Sequence, residues 1–175
     1  PAASDAELEV APELPNGFVE LGLAPELVQA VADLGYTQPT AVQLRAIPLA
    51  LPTAGGSKDG KSNGYTDLMV SSQTGSGKTA AFLLPVLKGL DASKHGVQAL
   101  ILVPSRELAI QIEQVFKQMS TGFKINCCYG GHATRIEKNN LSSPPAVLVG
   151  TPGRIAYHAR NKNFDAASVQ TLVLD

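Results

Sequence analysis

A glycine-rich stretch ending in lysine and threonine is the clearest chemical feature of this sequence. It reads, in order, Ser72, Gln73, Thr74, Gly75, Ser76, Gly77, Lys78 and Thr79. Gly75 and Gly77 let backbone N–H groups turn toward an anion, and a helix beginning at Lys78 adds positive potential at its amino terminus. In such a loop the lysine reaches the β- and γ-phosphates, and the threonine hydroxyl coordinates Mg²⁺. The stretch therefore predicts a nucleoside-triphosphate site, although the strict pattern has Gly where this chain has Ser72.

Three side chains before this loop have the chemistry to recognise a base. The amide of Gln43 is able to pair in a bidentate way with N6 and N7 of adenine. The rings of Phe18 and Tyr36 are able to stack on a base. From the residues alone, a solvent-facing glutamine and two packing aromatic rings are the commoner interpretation, so the identity of the base stays open at this point.

Three polar stretches, 104–111, 130–131 and 151–154, follow apolar runs that predict strands. They would lie at the carboxyl ends of those strands, the edge at which open α/β sheets bind ligands. Each has an ordinary structural explanation: Ser105 caps a helix, two glycines form a turn, and Pro152 opens a helix after a Thr151 cap. Their common edge, with hydroxyls, glycine amides and two arginines, favours a ligand-binding role.

The elements that must position these residues follow from short apolar runs separated by helical patterns. Strands are predicted at 68–71, 99–103, 125–129, 146–149 and 171–174; the runs do not alternate, as expected for strands covered on both faces. Helices are predicted at 78–90, 105–119 and 154–160, after two upstream helices, the second at 40–51 with a possible kink or early end at Pro48. This order predicts an α/β fold with a mainly parallel sheet and helices on both faces.

The length of 175 residues and the hydrophobic content of 44% indicate one domain. We expect a flexible leader at 1–16, the domain at 17–175, and an inserted surface loop at 52–66 that is rich in glycine. No apolar run approaches the roughly 20 residues of a membrane span, and the acidic amino terminus is unlike a signal peptide. We therefore expect a cytoplasmic protein without a membrane partner. The adjacent Cys127 and Cys128 fit neither a disulfide framework nor a zinc site, which predicts buried, reduced thiols.

The charge is unevenly distributed along the chain although the net charge is only −1. Residues 1–44 hold seven of the 15 acidic residues and no Lys or Arg, which leaves 8 acidic and 14 basic residues after position 44. This surplus is compatible with contact to a phosphate backbone but does not establish one.

The order of these motifs resembles the DEAD-box RNA helicases of superfamily 2, and specifically their first RecA-like domain. Residues 18–43 resemble the Q motif, 72–79 motif I, 104–111 motif Ia, 130–131 the GG doublet and 151–154 motif Ib. Residues 173–175 resemble the opening of motif II, cut off after its first aspartate. The departures are Ser72 for the usual Ala, Ser105 for the usual Thr, and the long loop at 52–66.

The resemblance implies roles for these residues in an ATP-dependent, P-loop RNA helicase. Gln43 would select adenine, with Tyr36 or Phe18 stacking on it, and the loop at 72–79 would hold the phosphates of ATP or ADP. Lys78, Thr79 and Asp175 would serve catalysis, with Thr79 and Asp175 holding Mg²⁺, the latter through water. The sugar-phosphate backbone of RNA, read without regard to sequence, would lie along Pro104, Arg106, Gly131, Thr151, Gly153 and Arg154.

The same resemblance places the catalytic glutamate immediately after Asp175, and a second RecA-like domain with its arginine finger beyond the sequence. We therefore expect this chain, as a monomer, to bind adenine nucleotide without efficient turnover. The longer parent, with that second domain as partner, would couple ATP hydrolysis to local RNA unwinding. Two alternatives stay open: a stand-alone module that captures an adenine nucleotide or RNA, and a different P-loop enzyme such as a DNA helicase or a small-molecule kinase.

Overall fold

The computed structural model describes residues 16–52, 64–119, 122–131 and 133–175. Of the predicted leader at 1–16 and the inserted loop at 52–66, residues 1–15 and 53–63 lie outside the described residues. The described part contains α1 (Pro25–Asp33), α2 (Ala41–Ala50), α3 (Lys78–Lys88), β1 (Ala99–Leu102), α4 (Arg106–Gln118), β2 (Ile125–Cys128), α5 (Thr134–Leu141), β3 (Val147–Gly150), α6 (Pro152–Arg160) and β4 (Thr171–Leu174). Short 3₁₀ helices occur at Val19–Leu21 and Ala166–Ser168.

The four strands form one parallel sheet in the order β2-β3-β1-β4. The register pairs Leu102 at the end of β1 with Gly150 of β3 and with Leu174 of β4, and pairs Gly150 with Cys128 of β2. The four carboxyl ends are therefore level. The segments that follow them lie side by side along one edge, as the sequence predicted.

Helices cover both faces of the sheet. Alternate side chains of β3 point to opposite faces and pack against different helices. Val147 and Val149 belong to a buried cluster with residues of α3 and α4. Leu148 belongs to a second buried cluster with Leu141 of α5 and Ile155 of α6. The α/β fold with helices on both faces is thus confirmed.

The predicted strand at 68–71 is wrong for this structure, in which the segment has no regular secondary structure. Leu68 and Val70 are exposed, and Met69 is fully exposed. Residues of strand-forming type build a strand only where a neighbouring ladder and a covering layer are available. Among the described residues no strand pairs with this segment, so the phosphate loop follows an irregular segment instead of a strand.

Smaller corrections concern the elements at the periphery of the fold. β4 is an edge strand and is less covered than predicted, with Leu172 and Leu174 exposed by 56% and 73%. α2 continues through Pro48 instead of ending early. α5 was not predicted, because Thr134–Leu141 is a polar segment that buries only Glu137 and Leu141.

Candidate phosphate loop and ligand-binding edge

The glycine-rich loop enters the amino terminus of α3 through two residues in left-handed conformations. Gly75 has a φ of 79° and Gly77, the N-cap residue of α3, has a φ of 89°. The turn is closed by a 3.2 Å hydrogen bond from Ser76 N–H to the Gln73 carbonyl. The hydroxyls of Ser72 and Ser76 lie 2.7 Å apart. The first N–H groups of a helix have no partner within the helix, so the loop ends at a set of donors suited to an anion.

Gln43 joins this loop to α2 through both ends of its side-chain amide. Its Oε1 accepts a 2.9 Å hydrogen bond from Thr40 N–H, which completes a capping box at the start of α2. Its Nε2 donates a 3.1 Å hydrogen bond to the Gly77 carbonyl. Gln43 is 6% exposed, so it is a buried link and not a solvent-facing residue. Each end of a primary amide supports a second hydrogen bond, so these two bonds leave part of the hydrogen-bonding capacity of the Gln43 amide unused. The contact of Gln43 with adenine stays a prediction.

The two aromatic candidates occupy different environments. Phe18 is 1% exposed and lies in the core cluster, where its ring packs against protein. Tyr36 is 49% exposed and follows Gly35, whose φ of 84° turns the chain at the end of α1. Only the ring of Tyr36 is therefore open to a flat ligand.

The segments after β1 and β3 differ in how they begin the next helix. Ser105 Oγ accepts a 3.3 Å hydrogen bond from Leu108 N–H and caps α4, which confirms the prediction that Ser105 caps a helix. Thr151 occupies the same place before α6, but its side chain makes no capping hydrogen bond among the described residues. After β4, the backbone N–H of Asp175 donates to the Leu102 carbonyl at 2.9 Å, and Asp175 itself is exposed. The hydroxyls of Ser105 and Thr151 and the carboxylate of Asp175 thus follow the carboxyl ends of three neighbouring strands.

Arg106 connects the segment after β1 to the segment after β2. Its guanidinium carbon lies 5.2 Å from the centre of the Tyr129 ring, a cation–π distance. Gly131 has a φ of 102°, and a Cβ there would lie 3.0 Å from Arg106 Nη1. The guanidinium therefore lies against the glycine turn, although β3 separates β1 from β2 in the sheet.

A buried carboxylate that the sequence analysis missed holds the segments after β2 and β3 together. Glu137 of α5 is 1% exposed. Its Oε2 accepts a 2.9 Å hydrogen bond from Tyr129 N–H. Its Oε1 accepts from Arg154 Nη1 at 2.8 Å and lies 3.0 Å from His158 Nε2. We assign a proton to His158 Nε2 because an ionised carboxylate only accepts hydrogen bonds. The Nδ1 of the same ring lies 2.9 Å from the Asn163 amide.

Cys128 approaches the same carboxylate, and the ligand atoms of Cys128, Glu137 and His158 all lie within 4.8 Å of one another. Burial, with the nearby charge of Glu137, raises the pKa of the Cys128 thiol to about 12, so this thiol stays protonated at neutral pH. A metal ion would share Glu137 Oε1 with the Arg154 guanidinium, a second cation. We therefore interpret the group as a satisfied polar network and not as a metal centre. Burial also raises the pKa of the half-buried Cys127 thiol.

A glycine-rich loop that opens a helix beside a parallel sheet, with polar segments along the carboxyl edge, defines a P-loop nucleotide-binding domain of the α/β class. Residues 40–175 match the model of the DEAD/DEAH box helicase family. The chain belongs to that family, as its motif order predicted.

Curated relatives and solved structures agree with this assignment. The chain is 42% identical over 161 residues to ATP-dependent rRNA helicase RRP3 of Meyerozyma guilliermondii, covering 90% of this chain and 31% of that protein. It is 37% identical over 166 residues to ATP-dependent RNA helicase DeaD of Escherichia coli K12, covering 93% of this chain and 24% of that protein.

Two structural neighbours share the fold. One is S. cerevisiae Dbp5 bound to RNA and ADP BeF3, with a TM-score of 0.78 and 33% identity, covering 91% of this chain and 38% of that chain. The other is a DEAD box protein from the hyperthermophile Methanococcus jannaschii, with a TM-score of 0.79 and 32% identity, covering 91% of this chain and 41% of that chain. The chain thus spans between about a quarter and two fifths of the length of these relatives. None of the described helices has the length and apolar character needed to cross a membrane.

Proposed function

We propose that this chain is the ATP-binding part of an ATP-dependent RNA helicase, which binds an adenine nucleotide at 72–79 and an RNA backbone along the carboxyl edge of its sheet. The observation that carries the proposal is the register of the sheet, in which the strands end level with one another, so that the segments containing the RNA-binding candidates follow neighbouring strand ends along one edge. Membership of the family and the similarity to relatives named as ATP-dependent RNA helicases support it.

The phosphates of the nucleotide would lie over the amino terminus of α3. Lys78, in its first turn, would bring a positive charge to the β- and γ-phosphates. The Thr79 hydroxyl and the Asp175 carboxylate would hold Mg²⁺, which neutralises charge on the phosphates. Both are oxygen ligands of the kind Mg²⁺ prefers, and both are at least partly exposed.

The base would be read by Gln43 and covered by an aromatic ring. We assign the stacking to Tyr36, because Phe18 is enclosed in the core. The bond between Gln43 and the Gly77 carbonyl connects this base-reading amide directly to the phosphate loop. The two halves of the nucleotide would therefore be bound by one connected unit.

The RNA contacts would be made by backbone N–H groups and arginines, with no base edge required. α4 and α6 both begin at this edge, and a helix amino terminus attracts phosphate. Arg106 and Arg154 supply charge, and Gly153 leaves open space, since a Cβ there would meet nothing within 4 Å. Such a surface binds RNA without sequence preference.

Hydrolysis and local unwinding would need a protein of the full length of these relatives. The curated relatives are about three to four times as long as the part that matches. Phosphoryl transfer depends on complete positioning of charges around the γ-phosphate, and loss of an arginine finger alone costs roughly 10³- to 10⁵-fold in rate. We therefore expect the 175-residue chain to bind nucleotide with little turnover.

Calorimetry with ADP and GDP tests the proposal. The wild-type chain should bind ADP more tightly than GDP, and Gln43→Ala should reduce that preference by about tenfold, since a bidentate contact to a base contributes ~1–3 kcal/mol. Lys78→Ala should weaken both nucleotides and leave their ratio unchanged, which makes it the matched control.

Equal affinity for ADP and GDP in the wild-type chain would remove the adenine assignment. An ADP preference that survives Gln43→Ala would remove the role of Gln43. Robust RNA-stimulated ATP hydrolysis by the 175-residue chain alone would refute the assignment of turnover to the longer protein.

A further inference from the structure

Glu137 belongs to none of the motifs discussed above, yet it is among the most deeply buried polar groups in the described part of the chain. It is 1% exposed, and the neighbouring His158 is 0% exposed. A buried carboxylate is costly unless it is paired and hydrogen-bonded. The groups that pair with the Glu137 carboxylate therefore indicate which part of the structure its burial stabilises.

Those partners lie in two different segments of the candidate RNA edge. Glu137 Oε2 binds the N–H of Tyr129, the residue directly before the glycine turn at 130–131. Glu137 Oε1 binds the guanidinium of Arg154, in the first turn of α6. One side chain from α5 thus fixes the start of the glycine turn and one arginine relative to each other.

The network extends to the third segment of the edge through Tyr129. Its ring lies beneath the guanidinium of Arg106, and that guanidinium lies against Gly131. On the other side, His158 Nε2 shares Glu137 Oε1 with Arg154, which gives the carboxylate a buried contact in addition to its pair with the arginine. Arg106, the glycine turn and Arg154 are therefore held in one arrangement around Glu137.

We propose that Glu137 is a positioning residue for RNA binding, whose buried carboxylate orients Arg154 and the glycine turn so that they contact neighbouring phosphates together. This inference rests on the proposed RNA-binding edge. A carboxylate is required because at least three donors, from Tyr129, Arg154 and His158, converge on its two oxygens. A glutamine has one acceptor oxygen and would present its NH₂ group to the N–H of Tyr129 or to the guanidinium of Arg154.

The test compares Glu137→Gln, Arg154→Ala and the wild-type chain in binding a fluorescent single-stranded oligouridylate at low salt, with ADP affinity measured in parallel. Arg154→Ala should weaken RNA binding by roughly tenfold, as expected for one charge-assisted hydrogen bond. Glu137→Gln should weaken it at least as much and change the ADP affinity by less than about twofold. Glu113→Gln is the matched control, because it removes a carboxylate from the surface pair with Lys117 and should leave RNA binding unchanged.

The outcomes separate the inference from the function on which it rests. If the wild-type chain does not bind the oligonucleotide, or if Arg154→Ala binds it normally, the RNA edge is refuted and the positioning role falls with it. If Arg154→Ala is impaired while Glu137→Gln binds RNA within about twofold of wild type, or more tightly, the RNA edge stands and the positioning role is refuted.

A measurement on the wild-type chain covers the case in which Glu137→Gln does not fold. Nitrogen-15 spectra of the arginine side chains should show restricted rotation and slow exchange of the Arg154 guanidinium. The guanidinium of Arg160, which is exposed on the same helix, should rotate freely and exchange its hydrogens rapidly. The variant Arg154→Lys identifies which signals belong to Arg154. Equal behaviour of Arg154 and Arg160 would overturn the proposal.

Discussion

Replacement of Gly77 by alanine tests whether the phosphate loop depends on its contact with α2. Gly77 has a φ of 89°, and a left-handed conformation costs a non-glycine residue roughly 1–2 kcal/mol. A Cβ at this position would lie 2.5 Å from Gln43 Nε2 and 2.9 Å from Thr40 Oγ1. The flexible Gln43 amide would have to move aside and lose its bond to the Gly77 carbonyl, a further ~1 kcal/mol.

Gly75→Ala is the matched control for this substitution. Gly75 has a φ of 79°, but a Cβ there would meet nothing within 4 Å. Urea unfolding should therefore show a loss of roughly 1–2 kcal/mol for Gly75→Ala and about 1 kcal/mol more for Gly77→Ala. Calorimetry with ADP should show the larger loss of affinity for Gly77→Ala. Equal losses of stability for the two variants would refute the reasoning, because the contact with Gln43 would then contribute nothing.

Two further predictions concern the helix starts and the buried thiols. Ser105→Ala should lower the free energy of unfolding by ~1 kcal/mol, whereas Thr151→Ala should lower it by less than ~0.5 kcal/mol. The reason is that, of these two side chains, Ser105 makes a capping hydrogen bond and Thr151 does not. Comparable losses for the two variants in urea unfolding would contradict this. The raised pKa of Cys128, about 12 against an ordinary 9.0, favours the protonated thiol in the folded state, so its stabilising contribution is complete below pH 9.0 and is lost as the pH rises toward 12. Between pH 9.0 and 12, the free energy of unfolding of Cys128→Ala should therefore fall less steeply with pH than that of the wild-type chain. The two slopes should differ by at most about 1.4 kcal/mol per pH unit, and identical slopes would exclude the effect.

The parts of the fold that sequence reasoning predicted are those in which local pattern and burial agree. The apolar runs that became β1 to β3 were recognised to within about one residue, because a buried parallel strand is a continuous apolar run. The run that became β4 was also recognised, although this edge strand is largely exposed. The segment 68–71 has the same composition but remains exposed, since a strand also needs a neighbour that no local pattern reveals.

The residues that sequence reasoning missed are polar residues in buried places. Glu137 lies in a polar segment, and without coordinates its charge is indistinguishable from that of a solvated residue such as Glu107. The same limit applied to Gln43, for which a solvent-facing position was the commoner interpretation, although the residue is 6% exposed. Burial of a polar group is decided by partners distant in sequence, such as Gly77 for Gln43 and Tyr129 for Glu137.

Gln43 contributes to the phosphate loop as well as to the site proposed for the base. Its amide holds the carbonyl of Gly77, the N-cap residue of α3, whose first turn contains Lys78 and Thr79. Removing the side chain should therefore weaken binding of inorganic pyrophosphate, which has no base, as well as binding of ADP. Because Gln43→Ala and Gly77→Ala break the same bond, the pyrophosphate loss in Gln43→Ala should match the difference between Gly77→Ala and Gly75→Ala for the same ligand. Any loss of ADP affinity beyond that amount measures recognition of adenine itself, and unchanged pyrophosphate binding would show that the bond does not order the loop.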